Sequence, residues 1–207
     1  EPMVRCGKTH RGAQGRTGAF WAEERSKMLF EDRVTAMASF FLEKSGGRLN
    51  DIMLMKLLYL ADRRAATDLG SPISMDVYSS MPFGPVLSQT YRMMSLETSS
   101  IIWGKHVFAM SPKGSSDYDV VLRKPLDPQK VLRRSDCKVI EQIWNEFGSW
   151  DKDALVDYCH KLPEYDQRAW MKDEKSSFPM SYKTFLLGAG FSPDEADAAA
   201  AEHALFG

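Results

Sequence analysis

The sequence predicts a mainly α fold: a compact helical domain around one central buried helix, with one small β-hairpin. Three observations predict it. Residues 51–69 carry apolar side chains around most of a helical circumference, with Ile52, Met55, Leu58 and Tyr59 on one stripe and Leu54, Leu57 and Ala61 widening it. A helix apolar over so much of its surface is buried on several sides. The neighbouring segments show apolar residues at three- and four-residue spacing on a single stripe, the pattern of helices that cover a core. Residues 101–124 alone switch to a strand-like pattern around a polar turn.

In chain order, residues 1–27 differ from the rest. Arg5, Lys8, Arg11, Arg16, Arg25 and Lys27 outnumber Glu1, Glu23 and Glu24, and Gly7, Gly12, Gly15 and Gly18 interrupt any helix. They read as a leader or a disordered extension, with a basic nucleic-acid arm as the functional alternative, and residues 28–207 read as a single domain. A helix over 29–44 places Phe30, Val34, Met37, Ala38 and Phe41 inward, and Gly46 and Gly47 end it. Asn50 or Asp51 caps the next helix, which Gly70 stops.

Residues 71–80 read as extended. Pro82, Gly84 and Pro85 form a corner, with Pro85 in the first turn of a helix that runs to about Leu96. Trp103, Val107 and Phe108 precede the turn at Pro112 to Ser115, and Tyr118, Val120 and Val121 follow it. Ser135 or Asp136 caps a helix through Phe147, Asp151 starts another, and residues 164–179 are loop-like around Trp170. A short helix follows Ser181. Ser192 and Glu195 make a capping-box pattern ahead of an Ala-rich C-terminal helix.

Composition narrows the function classes. A net charge of −1 argues against a dedicated nucleic-acid binder. No uncharged apolar run is long enough to span a membrane. Cys6, Cys137 and Cys159 lack metal-type spacing, and so sparse a set suits a reducing cytoplasm. His10, His106, His160 and His203 form no ligand pair, so neither a metal nor a cofactor is expected. Cys159 and His160 are adjacent, and adjacent helical side chains diverge, which argues against a dyad. His160 reads best as a helix-end histidine bonded to a carbonyl. No GxSxG elbow supports a hydrolase with scattered catalytic residues. Two helices followed by a hairpin also fit a winged-helix DNA regulator, but its reading helix would offer Arg92 as its one cation.

Three short series carry a resemblance: Lys56-Leu57-Leu58-Tyr59, Gly70-Ser71-Pro72-Ile73 and Phe83-Gly84-Pro85-Val86, followed by His160-Lys161-Leu162-Pro163 with Tyr165 beyond. Together they resemble the Panacea domain of SocA-like antitoxins over about residues 28–170. Phe83 departs from the tyrosine usual before the Gly-Pro pair. The resemblance implies a cytoplasmic, non-enzymatic bacterial or phage antitoxin that neutralises a cognate protein toxin by direct binding. Tyr59, Arg63, Tyr78, Phe83, Gly84, Pro85, Trp103 and His160 are the expected partner-binding residues, because the corner at 78–85 and the hairpin after Trp103 set aromatics beside turns. Tyr78 and Phe83 read equally well as covers of the core.

Overall fold

The structure, a computed structural model, describes residues 18–95, 100–110, 118–171 and 176–206. The first 17 residues of the expected leader, the turn at Pro112 to Ser115 and the expected helix end at Leu96 lie outside them. The fold is mainly α. Its helices are α1 (Gly18–Lys44), α2 (Asp51–Leu69), α3 (Ser88–Met94), α4 (Ile101–His106), α5 (Arg134–Phe147), α6 (Lys152–His160), α7 (Tyr182–Gly188) and α8 (Pro193–Phe206).

Local chemistry sets the helix ends. Asn50 accepts hydrogen bonds from the backbone N–H groups of Ile52 and Met53 at 3.1 and 3.4 Å, which caps α2. Gly70 ends α2 in the left-handed conformation at φ +81°. Asp151 caps α6 through the Ala154 N–H, and Ser181 caps α7 through the Thr184 N–H. Ser192 and Glu195 close the box at α8. The first helix starts at Gly18, well before the apolar stripe that predicts it.

Side chains of α2 from Leu54 to Ala61 are buried without interruption, including Lys56, and Leu58 is fully enclosed. The helix packs against α1, α5, α6 and the strand β3 (Gly84–Leu87). This answers the broad apolar surface read in its sequence. Among the described residues no helix is long and apolar enough to cross a membrane.

The strands correct the expectation of one hairpin. Two three-stranded antiparallel sheets are present among the described residues. In the first, β5 (Asp119–Leu122) lies between β1 (Arg48–Asn50) and β4 (Val107–Met110), with Leu49 opposite Val120 and Ala109 opposite Val120. In the second, β2 (Tyr78–Met81) lies between β3 and β6 (Phe178–Met180). These strands are three or four residues long and contain Ser, Gly and Pro, too short and mixed for a period-two signal.

Two further expectations change. Trp103 lies in α4 rather than on a strand, because Ser100 accepts from its backbone N–H and opens a helical turn. Pro85 lies in β3, paired with Ser80, and the helix begins only at Ser88. Proline fits there because β3 is an edge strand, where a missing N–H breaks no inner ladder.

Candidate functional site

The Lys56 and Phe83 series and the His160 segment converge in space on one turn, while Gly70–Ile73 lies apart at the end of α2. Met81 pairs with Gly84, so Pro82 and Phe83 form the two-residue tip of the β2–β3 hairpin. Gly84 has φ +102°, a conformation that side chains disfavour. A Cβ there would also sit 3.1 Å from Lys56 Nζ and 3.3 Å from Cys159 Cβ. Glycine therefore serves both the turn and the close approach of the hairpin to α2 and α6.

Four groups hold the tip by its backbone or its flanking serine. Lys56 Nζ donates to Pro85 O at 2.8 Å. Tyr165 Oη donates to Met81 O at 3.0 Å. His160 Nε2 donates to Pro82 O at 2.9 Å, which fixes the Nε2–H tautomer when the ring is neutral. The Asp166 backbone N–H donates to Ser80 Oγ at 3.0 Å. Gln167 Nε2 donates to His160 O, so the clamp is itself braced. The His160 ring stacks between Tyr165 and Trp170, with centroids 4.8 and 4.6 Å away. Burial lowers the His160 pKa and favours the neutral ring; Nδ1 is buried with no hydrogen-bond partner among the described residues.

Burial also governs Lys56 and Cys159. Desolvation lowers the Lys56 ammonium from 10.5 to about 8 and pushes the Cys159 thiol up to about 11. A thiol so raised is a poor nucleophile, which fits the reading of Cys159 and His160 as structural. Between pH 8 and 9 the unfolded chain keeps a proton on Lys56 that the folded chain releases. Stability therefore rises with pH across that window, by roughly 1 kcal/mol per pH unit at most. Cys159 acts in the opposite sense above its ordinary value of 9.0, which bounds the window. Lys56→Met is expected to abolish the rise, as read from urea unfolding at pH 8 and pH 9. The same rise in the variant would assign it to another group.

A second polar set lies one turn further along α2. Tyr59 Oη donates to Glu164 Oε1 at 3.0 Å, and Arg63 Nε donates to the same oxygen at 2.7 Å. Arg63 also donates to Gly188 O. A Cβ at Gly188 would collide with Glu164 Oε2, so only glycine leaves the carboxylate its place. Tyr59 meets Tyr78 and Phe185 edge-on, while those two rings stack at 4.1 Å.

Of the expected partner-binding residues, Tyr59, Tyr78, Gly84, Pro85, Trp103 and His160 are buried. Arg63 reaches the surface in part, and Phe83 is 49% exposed. Tyr78 covers the core, whereas Phe83 stands out from the tip. The structure unites Tyr59, Arg63 and Tyr78 in one neighbourhood and Phe83, Gly84, Pro85 and His160 in another. Trp103 belongs to neither and lines a separate hollow beside Met93, Val107 and Val120.

Sequence reading missed Trp170, 58% exposed and stacked on His160, as a surface neighbour of the tip. It also missed Tyr165 and Lys56 as clamps. Their signal lay in the motif series, which hold Lys56, His160 and Tyr165 together. On the side of the tip facing α2, a pocket of about 200 Å³ is lined by Ile52, Lys56, Phe83, Tyr91, Met94 and Tyr118 among others. Among the described residues no cluster of His, Cys, Asp and Glu is placed to hold a metal ion.

Residues 54–165 match the family model described as antitoxin SocA-like, Panacea domain. That span begins at α2 and ends on Tyr165, so it contains every clamp contributed by Lys56, His160 and Tyr165. No curated protein and no solved structure matches the chain significantly.

Proposed function

The chain belongs to the SocA-like Panacea family of antitoxins, and from that premise we propose that it neutralises a cognate protein toxin by binding it directly, with Phe83 at the centre of the contact. The reading is of a non-enzymatic antitoxin acting in the cytoplasm of a bacterial or phage-infected cell. The observation that carries the site is the clamped hairpin tip. Four hydrogen bonds fix it, yet its outermost aromatic side chain remains half exposed.

Such an anchor binds at small entropic cost, because its backbone is already ordered. The exposed Trp170 stacks on the clamp residue His160, and Phe83 itself helps line the pocket. Aromatic residues and Met are enriched at interfaces, and a few such anchors carry most of the binding energy. The pocket falls below the usual small-molecule range of about 300–1,000 Å³ and suits one inserted side chain better. For the winged-helix alternative, α3 offers only Arg92 as a cation over its length.

The test is co-expression with the toxin encoded beside this gene. The wild-type chain is expected to restore growth and to co-purify with the toxin. Phe83→Ala is expected to weaken toxin binding by at least about tenfold, the loss of about 1.4 kcal/mol or more at one anchor. Its thermal midpoint should stay within about 2 °C of wild type, as for other surface changes. Failure of the wild-type chain to bind would reject the antitoxin reading. Full neutralisation by a well-folded Phe83→Ala would reject the tip alone.

A further inference from the structure

The near-zero net charge hides a segregation. Residues 123–138 carry Arg123, Lys124, Lys130, Arg133, Arg134 and Lys138 against Asp127 and Asp136, while the whole chain sums to −1. All six cations are exposed. The segment is a basic ridge in sequence that runs from the end of β5, through the 3-10 turn Pro128–Lys130, into the start of α5. The turn of α1 beneath it anchors the chain, since Ser39 Oγ accepts from the Leu126 N–H at 2.8 Å.

The acids in the ridge are committed to the backbone. Asp136, buried, accepts from the Arg133 N–H and pairs with its guanidinium. Asp127 accepts from the Gln129 N–H. Arg123 lies over the Phe108 ring with its guanidinium 4.7 Å from the centroid. Lys124, Lys130, Arg134 and Lys138 make no ion pair with a described residue and point their charge to solvent. Glu141, one turn beyond Lys138 on α5, marks the end of the positive stretch.

Surface chemistry distinguishes the kinds of anionic partner. A protein interface is built on an apolar, aromatic core with a polar rim. Among the described residues the exposed large apolar ones are Leu69, Met75, Val77, Phe83, Ile101, Met110, Trp170, Met171 and Leu187, and none lies in residues 123–138. A nucleic-acid interface is instead polar and strongly positive. We propose that this ridge binds the phosphodiester backbone of nucleic acid without reading its sequence, independently of the Phe83 tip. Phosphate contacts of this kind position a chain on nucleic acid but carry no base information. An antitoxin so equipped would be held near nucleic acid while its toxin-facing tip stays open.

The experiment is fluorescence anisotropy with the full chain alone, titrated against random-sequence duplex DNA and single-stranded RNA of equal length. Affinity should fall linearly on a log–log salt plot, with a slope of about −0.9 for each phosphate engaged on duplex and about −0.7 on a single strand. The arm that binds more tightly identifies the nucleic acid. Lys124→Glu/Lys130→Glu/Lys138→Glu should weaken binding by about tenfold or more at low salt, since it removes and reverses three contacts. The Ala version of the same triple variant should lower the slope by about three contacts' worth without reversing charge. Lys161→Glu, an exposed change at the end of α6 and outside the basic segment, should leave binding within about twofold.

Binding of neither nucleic acid overturns the proposal. So does equal binding of poly-glutamate, which would mark a general polyanion surface. Binding left intact in both triple variants would overturn the ridge. Toxin neutralisation is expected to survive the Ala variant, which separates this surface from the tip.

Discussion

Asp62→Ala is expected to cost roughly 4–6 kcal/mol of folding stability. Asp62 is fully buried on α2. Its carboxylate accepts from the backbone N–H groups of Ile73 and Ser74 at 3.0 and 2.8 Å, from the Ser74 hydroxyl, and from Tyr78 Oη at 3.1 Å. Alanine would strand two buried backbone donors, each worth about 1–3 kcal/mol when unpaired, and two hydroxyls besides. It would also release the turn they organise. Met75, the next residue, holds φ +61°, a left-handed conformation that costs of order 1 kcal/mol for a side chain other than glycine.

Beyond Met75, Asp76 accepts from the N–H groups of Gln89 and Thr90 and so caps α3 from a distance. Ser74 Oγ links the two residues, donating to the Asp62 carboxylate and accepting from the Asp76 backbone N–H. Burial raises the carboxyl of Asp62 to about 6, against the pull of its hydrogen bonds. Asp62→Asn keeps an acceptor for the two backbone N–H groups and should lose about half as much. Urea unfolding of both variants checks the order, and an Asp62→Ala protein within about 1 kcal/mol of wild type would show that the turn does not depend on this carboxylate.

The apolar pattern and the helix punctuation were readable from residue types. The α2 surface, the Asn50 and Asp151 caps, the Gly70 stop and the Ser192–Glu195 box each follow from one or two side chains acting locally. What could not be read is what depends on distant partners. The β2–β3 hairpin is two strands of four residues, stabilised from outside by Lys56, His160 and Tyr165, each far away in sequence.

Pro85 shows the same limit. Its fixed φ suits a first helical turn and an edge strand alike, and only the pairing with Ser80 decides between them. The site was half legible: the motif series gathered the clamp residues and the α2 stripe turned Tyr59 inward, but sequence spacing gave no sign that Tyr78 faces inward while Phe83 faces out. Alternation around a two-residue turn is too brief to fix a face.

Arg63→Glu is expected to lose about 3–5 kcal/mol, the usual cost of breaking a buried pair by removing one partner, with like-charge repulsion added. Arg63, expected from the sequence as a surface contact, is 23% exposed at its side chain. Its Nε nevertheless bonds a Glu164 side chain that is wholly buried, and its Nη2 bonds the Gly188 carbonyl. A glutamate would set its own acceptors against both. Tyr59 Oη would remain the one hydroxyl donating to Glu164. Arg63→Met removes the pair without adding charge and should lose less than Arg63→Glu; the gap between them measures the repulsion.

Adding Glu164→Gln to Arg63→Glu removes the opposing charge and should recover part of the loss, so the double variant falls short of the two single losses combined. Unfolding midpoints of the four proteins decide the matter. A fully stable Arg63→Glu would mean that Glu164 finds its compensation elsewhere. A stable but non-neutralising Arg63→Met would make Arg63 a toxin contact as well as a brace. Loss of neutralisation in proportion to lost stability would confine it to bracing Glu164, two residues along the chain from the Asp166 that engages the hairpin through Ser80.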